Sequence, residues 1–484
     1  MSTAVAIALG IFVVGPCQPG EEQGETERKL GVECGWVTVA RDSQPSGKAI
    51  RLWTARIRAM NHDGKRPDPI LYINGGPGIA TVDSILPNLL SSKTFTALRR
   101  ERDIILFDQR GSGRSEEVLC PDLGKQLNAV ADEGLSPPLE EHRKRALFVE
   151  CSSALEGRGI TLQNYTTAAT VGDLEHIRKA FRVNQWNLVA ISYGALVAMH
   201  AMRITPSAIR SVVLNSPYPP NSVTWAEQAS STAAAYMAID QDCSQQAKCR
   251  ERFGSLVPKL EATLARLETA PLQDGKRRIT GRLFAEALWP LAVQSSTVHF
   301  VPLAIDRAHA GDSDVIKGLV RKFASGDAFG GRSPAQAMAI SCYEGGRTRE
   351  WYARARRLYP ALVSASPDDS WDRLCDEYRP GFAPAGFFAP VASNIPTLMY
   401  AGTLDAATPV VDAHHASRFL SKATVVEVEG AAHGPMGKDE CTRAIALAFV
   451  ENPETPPDRQ CLAKRALIEF AQDGLGQLLA PTAK

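Results

Sequence analysis

The sequence predicts an α/β fold in which helices flank a mostly parallel central sheet and a large helical insertion interrupts the series. Short, unbroken apolar runs recur in the first half, as expected for strands buried on both faces. Helical patterns separate these runs, and strand patterns return only after residue 390. At 484 residues the chain is longer than a domain with a single compact core usually is, which favours a main domain with a large insertion.

The first strands are predicted to be antiparallel. Residues 35–40 and 50–59 alternate between apolar and polar side chains with a period of two, as in half-buried strands. Four unbroken runs then predict buried parallel strands: Ile70–Ile73, Ile104–Phe107, Leu188–Ile191 and Val212–Leu214.

Two helices are predicted between and after these strands. One places Val171, Leu174, Ile177 and Phe181 on a single face. The other covers Ala195–Met202 and ends before Pro206.

The second half predicts an insertion followed by completion of the sheet. Strands are expected at Thr397–Ala401 and Thr424–Val428, and a helix at Thr442–Val450. A sheet that is interrupted and then completed indicates one domain carrying a cap. The predicted segments are a signal-like stretch and linker (1–29), the first part of the core (30–220), a helical cap (221–390), the second part of the core (391–462) and a helical tail (463–484).

The N-terminal apolar run Ala4–Gly15 predicts the hydrophobic region of a secretory signal. No Lys or Arg precedes it, so a disordered start is the alternative. Cys17, directly after Pro16, could instead carry a lipid that anchors an exported protein to the membrane. We therefore expect a secreted or periplasmic protein. No segment is long and apolar enough to form a stable membrane span.

The ten cysteines favour the same compartment, because an even number in an exported chain indicates disulfides. Eight of them fall as sequence neighbours, at 120/151, 243/249, 342/375 and 441/461, although spacing alone leaves the connectivity open. A zinc site and buried free thiols are the alternatives to disulfides. The sequence has no C-x-x-C motif of the kind usual in zinc sites, and buried free thiols would suit a cytosolic protein.

The charge balance argues against a nucleic-acid partner. The net charge is +1 and no long basic block is present.

The pentapeptide Ala190-Ile191-Ser192-Tyr193-Gly194 joins a predicted strand to a predicted helix. That context is typical of a nucleophile elbow, in which Ser192 projects above the sheet at a helix N-terminus. A serine at such a junction is also a common helix N-cap, so the motif alone is weak evidence.

A glycine-rich loop follows the Ile70–Ile73 strand, at Asn74-Gly75-Gly76-Pro77-Gly78. The backbone N–H groups of Gly75 or Gly76, together with that of Tyr193, are predicted to form an oxyanion hole. The loop matches neither a phosphate loop nor a dinucleotide-binding motif, and a plain turn is the alternative. Asp108 and Arg110, after the next strand, are predicted to brace the rim.

Asp405 and His433 each follow a predicted late strand, which gives the chain order Ser, Asp, His. Serine needs a base to take its proton, and the base needs an anion to orient it. Asp405 is preferred over Asp412, which lies in a helical pattern. We therefore predict a catalytic triad of Ser192, Asp405 and His433, which requires no metal or organic cofactor.

These motifs resemble the prolyl/tripeptidyl aminopeptidase family of α/β hydrolases, from about Cys34 to Cys461 and most closely its secreted tripeptidyl branch. The matching residues are Gly75-Gly76-Pro77-Gly78, Asp108-Gln109-Arg110-Gly111, Ser192-Tyr193-Gly194, Asp405 with Thr408-Pro409, and His433-Gly434. The resemblance implies the α/β-hydrolase fold and removal of residues from free peptide N-termini. It also implies acidic cap residues that bind the substrate ammonium group. Glu344 is a candidate for that role, with a surface salt bridge as the alternative.

Two departures concern the pocket. Asn74 stands where the family usually has His, and Ala190 stands where it usually has Gly. The expected substrate is therefore a peptide or a small ester, with a carboxylic ester or lactone hydrolase as the alternative function. A binding protein that has lost catalysis is disfavoured, because all three triad residue types are present.

Overall fold

A computed structural model describes residues 9–18, 29–42, 48–222, 224–324, 332–344, 370–378, 380–466 and 468–480, with the backbone alone for residues 224–231 and 370–372. The strands are β1 Phe12–Gly15, β2 Val32–Ala40, β3 Ala49–Ile57, β4 Ile70–Ile73, β5 Ile104–Phe107, β6 Trp186–Ile191, β7 Ile209–Asn215, β8 Leu272–Asp274, β9 Arg277–Ile279, β10 Thr397–Gly402 and β11 Ala423–Val428. The helices of the first half are α1 Thr81–Ser91, α2 Lys93–Leu98, α3 Leu123–Asp132, α4 Pro137–Gly157, α5 Thr167–Ala180 and α6 Tyr193–Ile204. Those that follow are α7 Thr224–Gln245, α8 Ala247–Phe253, α9 Leu256–Thr269, α10 Gly281–Val293, α11 Val301–His309, α12 Ser313–Phe323, α13 Pro334–Glu344, α14 Ser370–Tyr378, α15 Val410–Ser417, α16 Glu440–Glu451 and α17 Leu475–Leu479.

One mixed sheet organises the core, with strand order β1-β2-β3-β5-β4-β6-β7-β10-β11. The strands from β5 to β11 in that order are parallel, whereas β1, β2 and β3 pair antiparallel. This is the sheet of an α/β hydrolase, so the predicted fold class is confirmed, including the antiparallel pairing of the first two predicted strands.

The parallel strands are buried because helices cover both faces of the sheet. Leu71 and Ile73 of β4 pack on one face, in a hydrophobic cluster with α5 and α6. Ile70 and Tyr72 of the same strand face the other cluster, with α1, α2 and α16. Each fully buried aliphatic side chain contributes about 1.5–3 kcal/mol to folding, which is why unbroken apolar runs encode these strands.

The part of the chain between β7 and β10 is mainly helical, with its own hydrophobic cluster. It also contains a small antiparallel hairpin, β8 and β9, that the sequence did not predict. Its strands are only three residues long, too short to show a period, and Gly275 turns between them at φ +61°. Leu404, Ala406 and Ala432, from loops of the main sheet, belong to the cluster of the insertion.

All ten cysteines form disulfides between sequence neighbours, and Cys17 pairs with Cys34. The zinc and free-thiol alternatives are therefore wrong. The Cys17 membrane anchor is also wrong, since a sulfur bonded to Cys34 is not free to carry a lipid.

The N-terminal run is part of the fold where it is described. Phe12–Gly15, assigned above to a signal, forms the edge strand β1 against β2. A short apolar edge strand and the hydrophobic region of a signal have the same composition, so the sequence alone does not distinguish them.

The C-terminal tail is less helical than predicted. Among its described residues, regular helix is limited to Leu475–Leu479, after a short 3₁₀ turn over Gln460–Lys464. Gly474 adopts φ +83° and prevents the helix from extending towards the N-terminus.

Candidate active site

Ser192 lies at the sharp turn between β6 and α6, with φ +56° and ψ −126°. A non-glycine residue rarely adopts such a conformation, and its cost is balanced by the packing around it. The turn demands a glycine nearby, because a Cβ on Gly194 would lie 2.2 Å from the carbonyl oxygen of Ile73. The backbone N–H of Ser192 donates to the carbonyl of Asn215 at 3.0 Å, which ties the turn to β7.

The glycine-rich loop after β4 lies directly against this turn. A Cβ on Gly75 would lie 2.9 Å from Cβ of Ser192 and 3.4 Å from its Oγ. Gly78, at φ +90°, contacts the start of α13, where its added Cβ would lie 2.6 Å from the carbonyl oxygen of Ser333. Tyr193 is the first residue of α6, so its N–H has no partner within the helix. Gly75 and Tyr193 thus lie directly beside Ser192, and Gly76 follows Gly75 in the same loop.

Asp405 and His433 form a close pair on the loops after β10 and β11. His433 Nδ1 lies 2.8 Å from Oδ2 of Asp405 and 3.0 Å from Oδ1. The backbone N–H groups of Ala407 and Thr408 also donate to Asp405, at 2.8 and 2.9 Å. Burial alone would raise the pKa of Asp405. The adjacent His433, Thr408 and Ser216 outweigh burial and hold that pKa below its usual value.

The backbone of the histidine loop attaches to the same strand end as Ser192. Gly434 N–H donates to Ser216 Oγ at 2.9 Å, and Met436 N–H donates to Asn215 Oδ1 at 3.0 Å. From the insertion, the Val293 carbonyl accepts from the N–H of His433 at 3.1 Å. The structure therefore brings Ser192, Asp405 and His433 to one edge of the sheet.

Asp108 braces this edge from the other side. Its carboxylate accepts hydrogen bonds from the N–H of Val82, at the start of α1, and of Arg114, at 2.7 and 3.0 Å. Burial raises the pKa of Asp108 to about 6, although these donors oppose the rise. Arg110 pairs with buried Asp173 at 2.5 Å. Asp108 and Arg110 therefore hold the loop that follows β5 against α1 and α5.

The comparisons with known proteins match two parts of the chain. Residues 68–244 match the family model described as "alpha/beta hydrolase fold", and residues 365–461 match the model described as "TAP-like protein". Ser192 and the glycine-rich loop lie in the first match, and Asp405 and His433 lie in the second. Tripeptidyl aminopeptidases of Streptomyces coelicolor and Streptomyces lividans are 30% and 29% identical to this chain over 190 and 188 residues.

The chain is an α/β hydrolase that resembles the tripeptidyl aminopeptidases. The match covers 38% of the chain and spans about a third, 35%, of the length of either Streptomyces relative. Among solved structures, proline iminopeptidase of Mycobacterium smegmatis is 16% identical with a TM-score of 0.40, covering 87% of this chain and 98% of its own.

In this tripeptidyl aminopeptidase-like hydrolase, Glu344 is buried at the end of α13, so the surface salt bridge is wrong. Its Oε1 accepts a hydrogen bond from the N–H of Thr167 at 2.8 Å, while its Oε2 is buried and has no partner in the part of the chain that the structure describes. Thr167 Oγ1 lies 2.8 Å from the hydroxyl oxygen of Tyr193. Burial raises the pKa of Glu344 to about 7, against the opposing bonds from Thr167.

The two departures from the family pattern fit within the core. Ala190 is fully buried, and its methyl group joins the cluster beneath α6. Asn74 is 6% exposed, and its carbonyl accepts from the side chain of Gln109 at 3.5 Å.

Three residues that touch the site escaped prediction: Thr167, Ser216 and the hydroxyl of Thr408. Thr408 Oγ1 donates to Asp405 at 2.9 Å. The sequence offers Thr408 only as part of the Thr408-Pro409 motif. Ser216 carries one usable signal, since it follows the strand next to β6 in the sheet.

Among the described residues, no group of three or more His, Cys, Asp or Glu side chains is arranged to hold a metal ion. Nor does any helix in that part of the chain have the length and apolarity needed to cross a membrane.

Gly194→Ala should destabilise the protein strongly, whereas Gly172→Ala should not. The new methyl group at residue 194 meets the carbonyl of Ile73, and overpacking costs about 1–3 kcal/mol or more. Gly172, inside α5, has nothing within 4 Å of an added Cβ, so alanine there should stabilise by about 0.5–1 kcal/mol. Thermal unfolding followed by circular dichroism measures both changes, and equal effects at the two positions would contradict the tight turn.

Proposed function

We propose that this protein is a serine hydrolase in which Ser192 is the nucleophile, His433 the general base and Asp405 the orienting acid. The observation that carries the proposal is the Asp405–His433 pair, in which the aspartate is fully buried and the histidine partly exposed. Its histidine loop is hydrogen-bonded to the strand end that also holds the Ser192 turn. The depressed pKa of Asp405 keeps it an anion, which suits it to stabilise a protonated His433.

The mechanism follows from these positions. Ser192 attacks the substrate carbonyl while His433 takes the hydroxyl proton, and the N–H groups of Tyr193 and of Gly75 or Gly76 stabilise the oxyanion. His433 then protonates the leaving group, and water repeats the cycle on the acyl-enzyme. The residues present account for every proton transfer in this scheme.

Ser192→Ala should abolish covalent labelling by a fluorophosphonate probe, because the probe reacts with an activated serine. Ser207→Ala, which changes an exposed serine on the 3₁₀ turn after α6, should label like the native protein. Intact-mass measurement after labelling counts the modified sites. An unlabelled native protein, or undiminished labelling of Ser192→Ala, would refute the nucleophile assignment.

We further propose that the substrate is a peptide with a free N-terminus and that Glu344 binds its ammonium group. Two Streptomyces relatives are named tripeptidyl aminopeptidase. The proposal is supported by a chain of contacts: Glu344 accepts from the N–H of Thr167, whose hydroxyl lies 2.8 Å from that of Tyr193, the residue after Ser192. Among the described residues, Oε2 of Glu344 has no partner, and a buried carboxylate oxygen is costly unless something binds it.

Glu344→Gln should raise KM for a tripeptidyl dye by about tenfold or more, the effect of losing one hydrogen bond to a charged group. N-acetylated tripeptide and short acyl ester dyes, which lack the ammonium group, should show no such change. The exposed Glu286→Gln is the matched control. Since glutamine avoids a buried charge, Glu344→Gln should remain folded.

The pH dependence gives the same experiment a second readout. Below pH 7 Glu344 is mostly protonated, and above it is mostly charged. The KM for the free tripeptide should therefore fall as pH rises through about 7, with the ester KM flat. If the acyl ester is hydrolysed and free peptides are not, the protein is an esterase or lactonase.

We also propose that the protein is exported to the periplasm or the medium. Five disulfides persist only in an oxidising compartment.

In its native cells, the protein should fractionate outside the cytoplasm. Its ten cysteines should resist alkylation until a reductant is added, because each is disulfide-bonded. Alkylation before and after reduction, read by mass spectrometry, tests this. Recovery from the cytosol with alkylated thiols would refute export.

A further inference from the structure

Ser216 occupies the position next to the nucleophile turn in the sheet. Ile191 and Asn215 are register partners of β6 and β7, and a serine follows each of them. Both serines have φ +56°, the left-handed region that non-glycine residues rarely adopt. Backbone strain of this kind persists where the surroundings require it, and it concentrates at functional sites.

The Ser216 side chain is fully buried, and its hydroxyl group lies between two parts of the site. Its oxygen accepts from the N–H of Gly434 at 2.9 Å, and the nearby hydroxyl is one of the groups that hold the pKa of Asp405 below its usual value. Its backbone N–H donates to the carbonyl of Tyr400, on β10, at 2.8 Å. One residue therefore contacts the turn after the base and the strand that leads to the acid, and it acts electrostatically on the acid itself.

We infer that Ser216 is a positioning residue: its hydroxyl fixes the Asp405 carboxylate and the His433 turn relative to Ser192. The inference rests on the proposed triad and adds a residue that the motifs do not include. The other donors to Asp405, from Ala407 and Thr408, belong to the acid's own loop. Ser216 instead follows β7, whose last residue, Asn215, accepts from the N–H of Ser192 through its carbonyl.

The electrostatic surroundings of the pair are simple. The ionisable group that acts on Asp405 is His433, and the remaining contributors are Thr408 and Ser216, both uncharged. Around His433, the insertion contributes the Val293 carbonyl and the Ser295 hydroxyl, which are also uncharged. With one fewer donor on Asp405, more of its charge acts on a protonated His433. Removing the Ser216 hydroxyl should therefore favour the protonated, inactive form of the base.

The test compares Ser216→Ala and Ser216→Gly with Ser211→Ala. Ser211 is a buried serine of the same strand whose Oγ donates to Asn187 at 2.7 Å, away from the triad. The rate of Ser192 labelling by an uncharged fluorophosphonate is measured against pH and corrected for the folded fraction. Both Ser216 variants should lose about tenfold in plateau rate, and the pH of half-maximal rate should move upwards. Ser211→Ala should keep the native rate and midpoint.

Glycine separates the hydroxyl from the backbone, because it adopts φ +56° without strain. A native rate in Ser216→Gly would overturn the inference by showing that only the backbone matters. An unchanged pH midpoint in both variants would overturn it as well, by reducing Ser216 to a structural residue. Failure of the native protein to label at Ser192 would instead refute the proposed triad.

Discussion

The close approach of the Ser192 turn to the end of β4 is the constraint on which the site depends. The turn holds a serine in a strained conformation, and Gly194 lets the helix start against the carbonyl of Ile73. Because β4, β6 and β7 are in register, fixing this turn also fixes the glycine-rich loop and the Asn215–Ser216 strand end. The sheet supplies a rigid edge, and the loops carry the chemistry.

The insertion is not an independent lid placed over this edge. Residues of the Asp405 and His433 loops, Leu404 and Ala432, are buried in the hydrophobic cluster of the insertion. The indole N–H of Trp289 donates to the Ala406 carbonyl at 3.4 Å, and the end of α10 holds the backbone of His433. The acid–base pair is therefore shaped jointly by the sheet and by the helices above it, and packing in either part affects both.

Much of this arrangement could be predicted from the sequence, because buried parallel strands and tight glycine turns leave strong local patterns. The runs at β4 and β5 were found at their observed bounds, and the order of Ser192, Asp405 and His433 pointed to one sheet edge. Long-range burial leaves no such pattern. In the sequence, Glu344 cannot be distinguished from a surface acid, because its burial beside Thr167 depends on the fold. Phe12–Gly15 has the composition of a signal segment, and its pairing with β2 is seen only in the structure. Ser216 has no motif, since its role comes from what lies across the sheet.

Helix α13 touches the site at both of its ends. Its first turn packs on the glycine-rich loop at Gly78, and its last residue, Glu344, lies beneath Thr167 and Tyr193. Helix α13 thus connects the glycine-rich loop, which would stabilise the oxyanion, to Glu344, which would bind the substrate ammonium group. A substitution that tilts α13 would therefore alter turnover and selectivity together. Evolution of new substrate preferences in this scaffold is therefore easiest through side chains that leave the axis of α13 in place.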